Sequence, residues 1–99
     1  MAKVYITEHL KPSTYYSGLL PMVAMPPITT QTVAIGGSST QSAAFNTDAR
    51  VIAVHTDAIC SIEFGTNPTA TANSRRMAAN TTEYFEVLPG NKVAVITNT

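Results

Sequence analysis

Apolar positions along this chain alternate with polar ones over short runs, and no stretch keeps a 3.6-residue apolar stripe for three turns. The clearest run is Arg50 to Thr56, where Ile52 and Val54 fall on one side and Val51, Ala53 and His55 on the other. Ile59 to Phe64 repeats the pattern, with Cys60, Ile62 and Phe64 inward and Ser61 and Glu63 outward. Thr82 to Leu88 sets Tyr84, Glu86 and Leu88 against Phe85 and Val87. Lys92 to Thr97 is apolar on both sides, which predicts a strand inside a sheet. Thr32 to Ile35 and Gln41 to Phe45 read as shorter strands, and Arg75 to Ala79 fits either a short strand or a helical turn. The frequent Thr and Val residues favour the pleated surface, where a branched Cβ packs well.

Turn chemistry separates these runs. Gly36-Gly37-Ser38-Ser39 predicts a hairpin turn, Asn46-Thr47-Asp48 a second turn, and Pro89-Gly90-Asn91 a tight one in which Gly90 can take positive φ. Gly65 to Ser74, rich in Thr, Ala and Asn, predicts a surface loop. About seven or eight short strands at such spacing predict an all-β fold, a small β-sandwich or barrel of jelly-roll or Greek-key type, spanning residues 31–99.

Residues 1–30 read differently. They hold four of the six prolines, at 12, 21, 26 and 27. Proline removes a backbone donor and disfavours helix in the residue before it. Lys3 to Thr7 fits a short strand with Val4 and Ile6 on one face. The remainder predicts an extended N-terminal arm carrying Tyr15, Tyr16, Leu19, Leu20, Met22, Val23 and Met25. That much apolar surface is expected to lie against protein, either its own body or a neighbour's.

Composition sharpens the picture. Charged residues make up 12% of the 99, with six basic and six acidic side chains and a formal net charge of zero; ordinary soluble domains carry roughly 25%. Net charge opposes association, so a neutral, charge-poor surface suits a protein covered by companions. Small size limits the core, and a single cysteine, Cys60, cannot form an internal disulfide, which leaves oligomerisation as the route to further burial. Phosphate binding needs a concentrated basic surface, and Arg75-Arg76 is the sole adjacent basic pair, so nucleic acid is not expected as a partner. No apolar run is long enough for a membrane span and no secretory signal pattern is present, so synthesis in a cytoplasm is expected.

The residue types that do chemistry are scattered. Cys60 falls on an inward face beside Ile59 and Ile62, where burial suppresses thiolate formation. His55 is near in sequence but has no third orienting group, which leaves it a bystander. His9 and His55 stand far apart, and Glu8, Asp48, Asp57, Glu63, Glu83 and Glu86 occur singly, matching no metal-ligand spacing. Asp48 and Asp57 fit turns, and Glu83 or Glu86 could pair with Arg75 or Arg76. Gly36 to Thr40 lacks the lysine and helix of a phosphate loop. The expectation is no catalytic residue, no metal and no cofactor.

Two stretches resemble small virion proteins of tailed bacteriophages. One is Gln41-Ser42-Ala43-Ala44-Phe45-Asn46 followed by Arg50-Val51-Ile52-Ala53-Val54-His55. The other is Cys60-Ser61-Ile62-Glu63-Phe64-Gly65-Thr66-Asn67-Pro68-Thr69-Ala70-Thr71-Ala72, with Tyr84-Phe85 and the end Lys92-Val93-Ala94-Val95-Ile96. The similarity covers residues 31–99. It resembles the capsid decoration, or cement, proteins, which implies a β-sandwich that self-associates, binds the major capsid protein at the virion surface and carries no catalytic residues. Tyr15, Tyr16, Leu19, Leu20 and Met22 are the expected anchors of such an interface, because large aromatic and apolar side chains dominate binding hot spots. Competing readings are a head–tail connector or tail accessory part, a carbohydrate-binding sandwich using Tyr15, Tyr16 or Tyr84 as a sugar platform, and a cupin-like enzyme, for which two distant histidines are too few.

Overall fold

The computed structural model describes residues 2–9, 14–15, 18–19 and 28–98, the two dipeptides by their backbone. Its strands are β1 (Lys3–His9), β2 (Thr14–Tyr15), β3 (Gly18–Leu19), β4 (Thr29–Ala34), β5 (Thr40–Gln41), β6 (Val51–Thr56), β7 (Cys60–Gly65), β8 (Arg75–Met77), β9 (Thr81–Glu86) and β10 (Lys92–Thr97). Two four-stranded antiparallel sheets pack face to face. One runs β4-β1-β6-β9 and the other β5-β10-β7-β8, while β2 and β3 form a separate short ladder. The architecture is an open β-sandwich and not a closed barrel.

The alternation seen in the sequence sets the two faces. Val4, Ile6, Val33, Ile52 and Val54 of the first sheet meet Cys60, Ile62, Met77, Val93 and Val95 of the second in one core, joined by Phe45 and Val87. Phe64 and Phe85 pack at its border with ring centroids 5.0 Å apart. The β8 and β9 margins are tied by the Arg75–Glu83 ion pair, and the Arg75 guanidinium lies 5.3 Å from the Phe85 ring centroid. Among the described residues no buried side-chain nitrogen or oxygen lacks a hydrogen-bond partner.

Three sequence expectations change. Residues 3–9, assigned to the arm, form an inner strand: β1 pairs with β4 from Lys3↔Ala34 to Glu8↔Thr29 and with β6 from Val4↔Thr56 to His9↔Val51. Two-sided pairing and the inward Val4, Ile6 and Glu8 make this strand part of the body, so an arm over residues 1–30 does not describe them. Gly36 to Ser39 is not a hairpin turn. It carries the chain from β4 in one sheet to β5 in the other, and neither glycine takes positive φ. The run Gln41 to Phe45 is mostly loop, since only Thr40–Gln41 pairs as a strand.

Elsewhere the turn chemistry is as expected. Leu88-Pro89-Gly90-Asn91 closes with the Asn91 N–H donating to the Leu88 carbonyl at 3.2 Å, and Gly90 has φ +83°. Arg75 to Met77 resolves as a strand and not a helical turn. β10 lies between β5 and β7, an inner position.

Candidate binding face

The outward sides of the two sheets differ. On the second sheet the outward positions include Ser61, Glu63, Ala94 and Gln41, as set by the pairs Ala94↔Glu63 and Ala94↔Gln41. Ser61 and Ala94 are nonetheless fully buried. The chain's own segment after β7 covers this side. Gln41 Nε2 donates to Asn67 Oδ1 at 2.9 Å and to the Pro68 carbonyl at 2.8 Å. The Ala70 N–H donates to Ser39 Oγ at 2.9 Å. Asn98 Nδ2 donates to Ser61 Oγ at 2.7 Å and to the Ala72 carbonyl at 3.3 Å. Pro68 and Ala70 are buried as a result. A stretch expected to be a plain surface loop is thus a fitted cover.

The first sheet leaves part of its outward side open: His9, Val51 and Ala53 share the outward phase and are buried, while Tyr5 and Tyr84 in that phase are exposed. Register places Thr32, Tyr5, His55 and Thr82 in one row across β4, β1, β6 and β9, with Thr30, Thr7, Ala53 and Tyr84 in the next. Tyr5 is 42% exposed, Tyr84 62% and Leu88 68%, and these are the large exposed apolar side chains among the described residues. The Tyr5 and His55 rings meet at 6.1 Å with a 46° tilt, and His55 Nδ1 bonds Thr82 Oγ1 at 2.8 Å. Lys3 stands in the outward phase of β1 and Glu86 in that of β9, both exposed. Between them the face is hydroxyl and aromatic, chemistry suited to protein contact and to a low cost of desolvation.

The structure does not bring Cys60 and His55 together. Cys60 lies in the core and His55 on the outward side of the opposite sheet. Burial pushes the Cys60 thiol above its ordinary value of 9.0, and the bond to Thr56 Oγ1 offsets this in part. Among the described residues no group of three or more His, Cys, Asp and Glu side chains gathers where a metal could bind. The Asp57 carboxylate accepts from the Lys3 N–H at 3.3 Å, and the Asp48 N–H donates to Asn46 Oδ1 at 2.9 Å.

Of the expected interface anchors, Tyr15 and Leu19 lie in the β2–β3 ladder, paired through Tyr15↔Gly18 and Thr14↔Leu19. Tyr16, Leu20 and Met22 lie outside the described residues. The sequence reading singled out neither Tyr5 nor Leu88 for binding. The available signal was a large apolar side chain in the outward phase of a half-buried strand. No family model matches the chain, and no curated protein and no solved structure matches it either.

Proposed function

We propose that this chain is a structural virion protein that binds and reinforces a bacteriophage capsid as a decoration (cement) protein, packing on the major capsid protein and on copies of itself. The observation that carries this reading is an exposed apolar patch on one side of the sandwich: Tyr5, Tyr84 and Leu88 stand in water on the first sheet's side, while the chain's own loop covers Ser61 and Ala94 on the other. Full burial of a large apolar side chain contributes about 1.5–3 kcal/mol, and each of these three, already partly covered, would add a fraction of that before association costs. A shell protein multiplies that gain over many copies, so area and repetition matter more than reactive groups. The sparse, balanced charge and the resemblance over residues 31–99 point the same way.

The connection from β1 to β4 is the second contact element. β1 and β4 are paired neighbours, with the Ile28 N–H on the Glu8 carbonyl at 2.7 Å, so the two ends of the connection, His9 and Ile28, lie side by side on the body. This segment carries Tyr15, Tyr16, Leu19, Leu20 and Met22. A test uses expanded, undecorated heads of the encoding phage in co-sedimentation. The full chain should bind with a fixed copy number. The double variant Tyr84→Ser/Leu88→Ser should keep its circular dichroism spectrum and lose binding. A variant with residues 10–27 replaced by a short Gly/Ser linker should also fold and bind weakly. Failure of the full chain to bind heads overturns the reading, and unchanged binding by the double variant removes the face from it.

A further inference from the structure

The four strand edges of the sandwich are not alike. β5 is two residues long and β8 three, with Arg75 and Arg76 on it. β9 carries Glu83 and Glu86. Short length and charge are the usual devices that stop an edge from pairing with another chain. β4 has neither. It is six residues long, Thr-Thr-Gln-Thr-Val-Ala, with no charge, proline or glycine, and Thr29, Thr30, Thr32 and Ala34 are exposed.

The phase of its ladder fixes which backbone groups are open. The Ile35 N–H donates to the Ala2 carbonyl at 3.0 Å, and 35 pairs with 2 in the same register as Val33↔Val4 and Gln31↔Ile6. Residues 31, 33 and 35 therefore turn their backbone groups toward β1. The N–H and C=O groups of Thr30, Thr32 and Ala34 point away from the sheet, and among the described residues none of them receives a strand partner on that side.

We propose that β4 is a self-pairing edge: it adds antiparallel to β4 of a second copy about a twofold axis at Thr32. That centre sets Thr32 opposite itself and Thr30 opposite Ala34 of the second copy. Thr30, Thr32 and Ala34 then each exchange both backbone bonds across the junction. The side-chain pairs are Thr with Thr and Thr with Ala on the outward face, and Gln31 with Val33 on the other. No like charges meet and no bulky groups collide. A sequence that is its own complement in this register favours a second copy over a foreign strand, and a closed twofold dimer is the commonest form such contacts take. Edge pairing rests on the ladder and not on the capsid reading, so either can fail alone.

The test reads both assembly and register. Sedimentation equilibrium of the full chain should show a dimer at concentrations up to about 100 µM, within the range of a modest interface. Thr32→Lys places like charges on the axis and Thr32→Pro removes the outward N–H; both should be monomeric with unchanged circular dichroism spectra. Thr32→Cys should yield a covalent dimer on mild oxidation, since a hydrogen-bonded pair has Cα atoms about 5.5 Å apart, within disulfide reach. Thr82→Cys, on the opposite edge, should not. A wild type that stays monomeric, a dimer that survives both Thr32→Lys and Thr32→Pro, or equal cross-linking through Thr82→Cys would each overturn the assignment.

Discussion

Glu8 is a carboxylate only 1% exposed, and its partners make a sharp prediction. Its Oε1 accepts the Asn46 N–H at 2.7 Å, and its Oε2 accepts Gln31 Nε2 at 3.0 Å. Gln31 passes the pattern on: its Oε1 accepts the Ala43 N–H at 2.9 Å, and its Nε2 also lies 3.4 Å from the Ala43 carbonyl. This relay pins the loop after β5 to β1 and β4. In Glu8→Gln one acceptor becomes an NH2. If it faces Gln31, two amide donors confront each other; turning Gln31 over relieves that contact but sets its NH2 against the Ala43 N–H. Turning the new amide over instead opposes the Asn46 N–H. Every arrangement strands a donor, a loss of about 1–3 kcal/mol for a buried group. Losing a buried charge offsets part of this, so a net destabilisation of about 1–2 kcal/mol is expected, or roughly 4–16 °C in Tm at this chain length. The exchange Glu8→Gln/Gln31→Glu restores the match, because the new amide on β1 then donates to a carboxylate on β4 that also takes the Ala43 N–H. In a double-mutant cycle followed by urea denaturation, the pair should recover most of the loss. A neutral Glu8→Gln, or a double variant no more stable than the sum of its parts, refutes the relay.

The remaining predictions are local. Gly90→Ala should destabilise by about 1–2 kcal/mol in urea unfolding, because an L-residue resists positive φ; the added methyl has open space, so a neutral result would contradict the turn. Cys60 should resist iodoacetamide in the native protein and react fully in denaturant, and rapid native labelling would contradict its burial. Its thiol is held above the ordinary 9.0, so above that pH the unfolded chain ionises first and binds fewer protons. Stability should therefore fall as pH rises past about 9, and Cys60→Ala should flatten that fall when the two chains are titrated side by side.

Local pattern made the strands legible where burial is one-sided or complete. Ile52 and Val54 alternate against Val51, Ala53 and His55, and Phe85 and Val87 against Tyr84, Glu86 and Leu88, so their faces follow from the period of two. Pro89-Gly90 announced its turn through the one residue that accepts positive φ cheaply. The end of β1 was not legible for the opposite reason. Glu8 and His9 look like the polar finish of a strand, yet Glu8 keeps the inward phase of Val4 and Ile6 because Gln31 and Asn46, distant in sequence, supply its donors. Gly36 to Ser39 signals a change of direction but says nothing about which sheet receives the next strand. The cover over the second sheet depends on Gln41 reaching Asn67 and Asn98 reaching Ser61, contacts with no local signature. So Tyr84 and Leu88 could be placed opposite the inward Phe85 and Val87 from sequence, while the loop that covers Ser61 and Ala94 on the other sheet could not.

The exposed patch of Tyr5, Tyr84 and Leu88 and the open β4 edge belong to the same sheet, and the geometry links them. Antiparallel pairing of two edge strands about a twofold sets the axis roughly perpendicular to the sheet, so β4-to-β4 pairing would leave both outward faces on one side. The result would be an eight-stranded sheet, β9-β6-β1-β4 continued by its symmetry mate, carrying two sets of Tyr5, Tyr84 and Leu88. Twist of about −20 to −25° per strand would curve this surface without turning either set away. A companion with a matching repeat would then meet two weak patches joined rigidly, and the second contact would form at high effective concentration with no new chemistry. Breaking the edge with Thr32→Lys should thus weaken shell binding more than the loss of one residue's contacts explains, even though Thr32 touches no reactive group. Equal binding by monomeric and dimeric protein, at the same concentration of chains, would separate the two features and leave the open face acting alone.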